Sequence, residues 1–543
     1  MGDDATSMNP DYEVIVVGAG VCGIYQLHRL LDLGFNATLL ETGSNLGGTW
    51  FWNRYPGARF DSESITYGYS FSEELLQEWD WKERFSGQPE NLRYLEYVAE
   101  KFDLRPHMQF DCNVDAAVFD DATTQWRLQL SDGRELSSRF LIPALGLLSA
   151  PTLPRYDGID DFEGQAFHTY NWPTEPVTLE GKLVAVVGTG ATAIQLIGEI
   201  ADKVGDLTVF QRRPNWTAPL HNGEISPEEM ADIKERYDEI FAVCARTPGG
   251  FIHQPDRRPY WDVPREERLA MWEKLYTEPG FGIWLSNFRE TFTDEAANAE
   301  LSAFIADKIR ARVNDPVLAE KLVPKDHGFG VQRLPMETHY YEAYNRDNVH
   351  LVDLQETPID RITARGIRTT EAEHEFDIIV FATGFDAVTG AYERVDIRGV
   401  GGQSLKEKWA DGPATYLGMQ VAGFPNMLMP TGPQSASATT NFPRGIELAV
   451  DWTTDLLEYM RDRGYTRVEA DAESERAWGK KVAELYEIML LRKAQGWFTG
   501  YNSNVEGHEQ GKMRYQVYNG GTPKYRATIA EVAERDYEGM QLT

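Results

Sequence analysis

Cysteine is scarce in this 543-residue chain, which has only Cys22, Cys112 and Cys244. The three stand too far apart for a CxxC redox pair or a cysteine-rich zinc site, so no metal is expected. So few cysteines suit a reducing compartment, and a cytoplasmic location is expected. Long apolar runs are also missing, and none approaches the roughly 20 residues that span a bilayer. The N-terminus has neither the basic nor the apolar region of a secretory signal. Met1-Gly2 with Thr6 matches a myristoylation pattern, but Asp3, Asp4 and the lack of a basic patch argue against a lipid anchor. Positive charge is in the minority: 53 Lys and Arg face 85 Asp and Glu, a net charge of −32. Such a surface repels phosphate backbones and anionic lipid, which excludes nucleic acid and membrane as partners.

What is present is material for large cores, with 42% hydrophobic and 12% aromatic residues. At roughly 150 residues per domain the length predicts three or four packing units. Two segments repeat one pattern of strand, glycine turn, helix and strand. The first runs Glu13-Val-Ile-Val-Val17, Gly18-Ala-Gly20-Val-Cys-Gly23, a helix through Leu33, then Ala37-Thr-Leu-Leu-Glu41. The second runs Leu183-Val-Ala-Val-Val187, Gly188-Thr-Gly190-Ala-Thr-Ala193, a helix near Ile194–Ile200, then Leu207-Thr-Val-Phe-Gln211. Apolar runs that end in a glycine turn suit strands buried on both faces of a parallel sheet. The fold class is therefore α/β, with two Rossmann-like dinucleotide-binding domains.

A lone G-x-G-x-x-G is weak, but here the whole unit surrounds it. Gly18 allows the tight turn, Gly20 admits a pyrophosphate, and Gly23 lets helix and strand pack closely. Glu41 can accept hydrogen bonds from a ribose. The second unit ends in Gln211-Arg212-Arg213 instead of an acid. Arginine pairs bidentately with a 2′-phosphate that an acid would repel, so this unit points to NADP(H).

Between residues 222 and 330 the pattern turns helical. Ser226-Pro227-Glu228-Glu229 supplies an N-cap, a Pro at N1 and a Glu at N3. Val263-Pro264-Arg-Glu-Glu267 repeats that opening without a good cap. Leu301, Phe304, Ile305 and Ile309 recur at helical spacing. The strand Phe376-Asp-Ile-Ile-Val-Phe381 then restores α/β character, and a helix is expected near Pro443–Arg461.

The stretch Gly47-Gly-Thr-Trp50-Phe-Trp-Asn-Arg-Tyr55-Pro-Gly-Ala-Arg59-Phe-Asp61 matches [AG]-G-x-W-x4-[FY]-P-[GM]-x3-D at every fixed position. The run Phe162-Glu-Gly164-Gln-Ala-Phe-His168-Thr-Tyr-Asn-Trp172-Pro173 matches F-x-G-x-x-x-H-x-x-x-W-[PD]. On these motifs the chain resembles the class B flavin monooxygenases, and more narrowly the Baeyer–Villiger monooxygenases. Ala382-Thr-Gly384 resembles the family's hinge, whereas its earlier counterpart Ala144-Leu145-Gly146 has Leu for Thr. Trp497-Phe-Thr-Gly500-Tyr-Asn502 resembles the family's C-terminal segment. The resemblance covers nearly everything from residue 12 to 540.

The resemblance implies FAD and NADPH as cofactors, and a ketone and O2 as substrates. Flavin reduced by NADPH would add O2 as a C4a-peroxide, and attack on the ketone would yield an ester or lactone. It assigns residues 1–150 and 385–543 to an FAD domain, 151–221 and 331–384 to an NADP domain, and 222–330 to a helical insertion in the latter. FAD would be held by Gly18, Gly20, Gly23, Glu41, Thr49, Trp50, Trp52, Asp61, Tyr67 and Val114. NADP would be held by Arg59, Gly188, Thr189, Gly190, Ala191, Thr192, Gln195, Arg212, Arg213, Gln332, Arg333 and Trp497. Arg333, in Gly330-Val-Gln-Arg333, matches the family's active-site Arg, with Asp61 as its partner. Thr431, Gln434 and Phe442, in the loop Met429–Pro443, are expected near the ketone. Phe162, Gly164, His168, Trp172 and Pro173 are expected at the domain junction. Gln332 departs from the family's Lys, and Arg213 stands where Thr is common. A monomer or homodimer is expected. N- or S-oxygenation would share these motifs and stays open, whereas a disulfide reductase lacks its cysteine pair.

Overall fold

The computed structural model describes residues 9–436, 439–508 and 512–543. The Met1–Thr6 pattern lies outside them, as do Ser437 and Ala438 of the expected pocket loop. Tyr12–Val17 forms an inner strand of a seven-stranded sheet whose order is Asp396–Arg398, Val114–Asp120, Gln125–Leu130, Glu135–Pro143, Tyr12–Val17, Ala37–Leu40 and Met108–Gln109. It pairs in parallel with Ala37–Leu40 and Glu135–Pro143, and Val14, Ile15 and Val16 are fully buried. That two-sided burial is the reason the run is apolar without alternation. The strand Asp396–Arg398 comes from far along the chain and pairs in parallel with Val114–Asp120. The helix Val21–Asp32 packs on Phe442–Arg463, with Gln26 donating to Thr454 at 2.9 Å and Tyr25 to Asp451 at 2.7 Å.

A second sheet of five parallel strands has the order Val349–Asp353, Asp206–Gln211, Leu183–Val187, Ile378–Phe381 and Gln165–His168. The two glycine turns sit identically on their sheets. The N–H of Gly18 donates to Leu40, and Ala144 donates back to Val17; Gly188 donates to Phe210, and Ala382 to Val187. Gly18 and Gly188 have φ of +107° and +116°. A Cβ on either would lie 2.5 Å or 2.4 Å from the carbonyl oxygen of Ala144 or Ala382. Only glycine fits both the dihedral and the space.

Helices fill the stretch between the second sheet's strands Asp206–Gln211 and Val349–Asp353. Pro227–Glu235 is capped by Ser226, whose hydroxyl accepts from the N–H of Glu229. Arg265–Thr277 follows Pro264 with no side-chain cap, and Glu295–Arg312 is capped by Asp294. Leu301, Ile305 and Ile309 are buried, while Phe304 lies at the edge of the core against Trp272. The stretch divides its allegiance. Met230, Ile233 and Tyr237 join the core of the first sheet, whereas Tyr260, Trp272 and Leu301 join that of the second. Cap and spacing signals find helices here but carry no information about which sheet each one covers.

Several elements escaped the sequence reading, among them the helix Gln88–Lys101 and the strands Val114–Asp120, Gln125–Leu130 and Glu135–Pro143. Ile359–Thr363, Gly366–Thr369 and Glu373–Glu375 form a small antiparallel sheet. Ala472–Glu487, capped by Asp471, and Thr522–Glu534, with Pro near its start, are helices in the C-terminal part. No helix among the described residues is long and apolar enough to cross a membrane.

Gly23 gives a packing test. A Cβ there would lie 1.8 Å from the carbonyl oxygen of Gly18, whereas one on Gly190 would meet nothing within 4 Å. Gly23→Ala should destabilise the protein by about 1–3 kcal/mol through overpacking. Gly190→Ala should leave the thermal midpoint near the parent value. Equal midpoints for the two variants in a differential scanning fluorimetry comparison would contradict the packing account.

Candidate active site

The first glycine turn and the start of the helix after the second open onto one cavity of about 920 Å³. Gly18, Gly20, Glu41, Thr49, Trp50, Trp52, Asp61, Tyr67 and Val114 line it from the first sheet and its loops. Gly23 does not, because it is spent on helix–strand packing. The Glu41 carboxylate is already oriented by two backbone N–H groups, those of Ala19 and Gly43, each at 2.7 Å. Gly48 brings its loop against the first turn, since a Cβ on it would lie 2.7 Å from the Cα of Gly20. Trp50 donates to the Tyr67 hydroxyl at 3.0 Å, and Trp52 stacks on Tyr170 at 5.4 Å. The cysteines are buried and unpaired, and Cys22 lines the cavity with its thiol pushed up to about 12 by burial.

Arg333 and Asp61 meet in the cavity wall, 3.3 Å apart. The Asp61 side chain is 6% exposed and that of Arg333 34%. Asp61 also accepts from the Gln195 amide and the Met336 N–H, each at 3.4 Å. Burial pushes the Asp61 carboxyl above the usual carboxylate range, and Arg333 and those donors oppose the shift. The Arg333 guanidinium donates to the Leu334 carbonyl and lies 4.9 Å from the Phe281 ring centroid. The result is a cation fixed on one side and open to the cavity on the other.

From the second unit, Ala191, Thr192 and Gln195 line the same cavity, as do Arg59 and Trp497. Gln195 links the two units, donating to the Arg59 carbonyl at 3.0 Å and accepting from the Tyr55 hydroxyl at 2.8 Å. Gly188, Thr189 and Gly190 form the turn behind it, and Thr189 donates to the Arg213 carbonyl at 2.7 Å. Arg212, Arg213 and Gln332 sit outside the cavity, under the C-terminal segment. Arg212 donates to the Ser503 hydroxyl, Arg213 to the Gln495 amide oxygen at 2.9 Å, and Gln332 to the Gln495 carbonyl at 3.0 Å.

Thr431 and Phe442 line the cavity, but Gln434 does not. Its side chain is buried in a turn, accepting from the Thr415 N–H and hydroxyl and donating to the Pro413 carbonyl at 2.9 Å. Gln434 therefore fixes the loop, and the expectation that it faces the ketone is corrected. Sequence reading also missed an aromatic wall. Phe251, Phe281, Trp284 and Phe292 come from the helical stretch, and Met489 and Phe498 from the C-terminal segment. Nothing in the spacing of Gly282-Ile-Trp-Leu-Ser-Asn-Phe-Arg289 says that Trp284 turns inward.

The flavin-binding monooxygenase-like family matches residues 11–242. A 2-oxo-Δ3-4,5,5-trimethylcyclopentenylacetyl-CoA monooxygenase from Pseudomonas putida is 43% identical over 98% of this chain and 99% of its own length. A Baeyer–Villiger monooxygenase from Pseudooceanicola batsensis is 38% identical over 99% of this chain and 97% of its own. The crystal structure of OTEMO in complex with FAD and NADP superposes with a TM-score of 0.95 at 43% identity, covering 98% of this chain and 100% of that one. The chain belongs to the Baeyer–Villiger monooxygenases.

As in its family, FAD and NADP(H) are the cofactors of this monooxygenase. The residues present fit both groups. The first turn, the prepositioned Glu41 carboxylate and the tryptophan-rich loop share one continuous cavity, and a Cβ on Gly190 would meet nothing within 4 Å, which leaves open space at the second turn. The junction fingerprint lies beside the seam between the sheets. There the Thr152 N–H donates to the Gly384 carbonyl at 3.0 Å, and the Thr383 hydroxyl to the Thr152 carbonyl at 2.6 Å. His168 ends the edge strand Gln165–His168 and accepts from the Tyr170 N–H at 3.1 Å. A Cβ on Gly164 would lie 2.6 Å from the Asp377 carbonyl oxygen, and the Trp172 carbonyl accepts from Arg54 at 3.5 Å. Phe162 packs at the edge of the second sheet's core, while Trp172, which Pro173 follows, is buried within that core on its other face.

Burial pushes the His168 imidazole down from 6.5 to about 4, so it is neutral in the native protein. The unfolded chain binds that proton more readily. Stability from the neutral ring is whole above pH 6.5 and is lost as pH falls towards 4. His168→Gln should therefore flatten the fall in thermal midpoint across this window, by at most about 1.4 kcal/mol per pH unit. Parallel midpoint-versus-pH curves for parent and variant would contradict that assignment.

Proposed function

We propose that this enzyme inserts one atom of O2 between the carbonyl carbon of a ketone and its neighbour, giving an ester or lactone. The other oxygen atom leaves as water, and NADPH with a proton supplies the two electrons. Bound FAD supplies the redox chemistry, accepting hydride from NADPH and activating O2. The protein contributes position, charge and exclusion of water. The observation that carries the reading is Arg333, held by buried Asp61 in a cavity shared by the first glycine turn and the start of the helix after the second. A preorganised cation stabilises negative charge developing on oxygen without reorganisation at the moment of reaction. Asp61 fixes its geometry and balances its charge.

The aromatic wall supports an uncharged, largely hydrocarbon ketone. Phe251, Phe281, Trp284 and Phe442 offer it surface, and Thr431 and Asn441 offer sparse polarity. The three buried, unpaired cysteines support a reducing, cytoplasmic setting. Oxygenation of an amine or sulfide would use the same cofactors, and product analysis separates it.

Arg333→Ala should keep FAD and lower ketone conversion by roughly 10²–10³-fold, the usual cost of losing one positioned charge-stabilising group. Arg333→Lys should recover part of the loss, short of the bidentate geometry that only Arg provides. Chromatography of ester formed, together with NADPH consumed and hydrogen peroxide released, is the measurement. Ester formation at the parent rate in Arg333→Ala would remove this role, and N-oxide or sulfoxide as the preferred product would favour the second reading.

A further inference from the structure

Arg212 and Arg213 stand side by side yet differ in their partners. Among the described residues no carboxylate lies within ion-pairing distance of Arg212, which donates to the Ser503 hydroxyl. Arg213 has Asp326 at 3.4 Å and the Gln495 amide oxygen at 2.9 Å, both on the same guanidinium nitrogen. Its face lies 5.2 Å from the Tyr501 ring centroid. Asp326 is itself held in place, because its other carboxylate oxygen sits 2.7 Å from Nδ1 of His327, a ring only 6% exposed. The His327 backbone is anchored in turn by the Trp216 indole, which donates to its carbonyl at 2.8 Å. His327 keeps the Asp326 carboxyl below the usual carboxylate range, so the group is anionic at neutral pH. Beside them Gln332 is uncharged, and its amide donates to the Gln495 carbonyl at 3.0 Å.

We propose that Asp326 is a specificity-determining residue at the adenosine end of the dinucleotide, where it competes with a 2′-phosphate for Arg213 and narrows the preference for NADPH over NADH. The proposal rests on the reading of Arg212 and Arg213 as the 2′-phosphate site. A phosphate approaching Arg213 must displace a carboxylate from the guanidinium and tolerate like charge nearby. The 2′-hydroxyl of NADH carries no charge and can instead donate to that carboxylate. One group thus acts in opposite senses on the two dinucleotides. A salt bridge that only braced the loop would affect both alike.

The test is equilibrium binding of NADP⁺ and NAD⁺ to the oxidised FAD holoenzyme, followed by calorimetry and by perturbation of flavin absorbance. Asp326→Asn should tighten NADP⁺ by roughly two- to five-fold, the scale of a partly exposed ion pair, with NAD⁺ unchanged or weaker. The gain should shrink as salt rises. Asp326→Ala provides a second removal of the charge if the Asn variant folds poorly. An unchanged ratio of the two affinities in both variants overturns the proposal, as does equal weakening of both dinucleotides. Arg213→Ala is the control for the underlying site. It should weaken NADP⁺ selectively, and if it leaves the ratio untouched, the 2′-phosphate reading fails and the Asp326 proposal falls with it. A selective loss in Arg213→Ala with no shift in Asp326→Asn overturns the Asp326 proposal alone.

Discussion

The architecture depends on a backbone contact made twice. Gly18 is pressed against the carbonyl of Ala144, and Gly188 against that of Ala382. Each alanine ends the strand beside its glycine turn, and each begins a segment that leaves its sheet for the other. Those segments meet at Thr152 and Gly384, where they hydrogen-bond to each other. The carboxyl ends of the two sheets are thereby turned towards one volume. This is why a carboxylate from the first sheet's loops, Asp61, can hold an arginine that arrives from the other side, Arg333. In open α/β sheets ligands bind at these carboxyl ends, and here two such ends share one space.

Charge is managed locally against an unfavourable background. The chain carries a net charge of −32, yet its ligands are anionic. Four of the arginines at or near the cavity meet the conflict in different ways. Arg59 is paired with Glu83 at 3.0 Å, Arg333 with Asp61, and Arg213 with Asp326, whereas Arg212 meets only a hydroxyl. Graded compensation of this kind lets an acidic protein hold phosphates without a basic surface.

Much of this was legible in the sequence, and the reason varies from residue to residue. Gly18, Gly23 and Gly188 could be read because only glycine satisfies the dihedrals and contacts of those turns. The helix Pro227–Glu235 announced itself through Ser226, which caps by local geometry, and Glu295–Arg312 through the helical spacing of Leu301, Phe304, Ile305 and Ile309. Arg333 and Asp61, 272 positions apart in numbering, could be joined only through resemblance, because no local rule links them. Gln434 misled because resemblance placed its whole loop beside the ketone, whereas its amide satisfies the backbone of neighbouring turns. Trp284 and Phe251 were unreadable for the opposite reason. An aromatic on a helical segment is ordinary core material until tertiary packing decides which way it faces.

The divided helical stretch has a mechanical consequence. It leaves the second sheet after Leu220, covers the first sheet's core with Met230 and Tyr237, and returns by Tyr260. On the way back His253 is bound to Glu63 at 2.7 Å, and three positions later the Asp256 N–H donates to the Asn287 carbonyl at 3.2 Å. Almost no free chain separates the anchor on one body from the anchor on the other. The two sheets are therefore joined at the Thr152 and Gly384 crossings and again through this strap, so any motion of one against the other has to carry the strap with it.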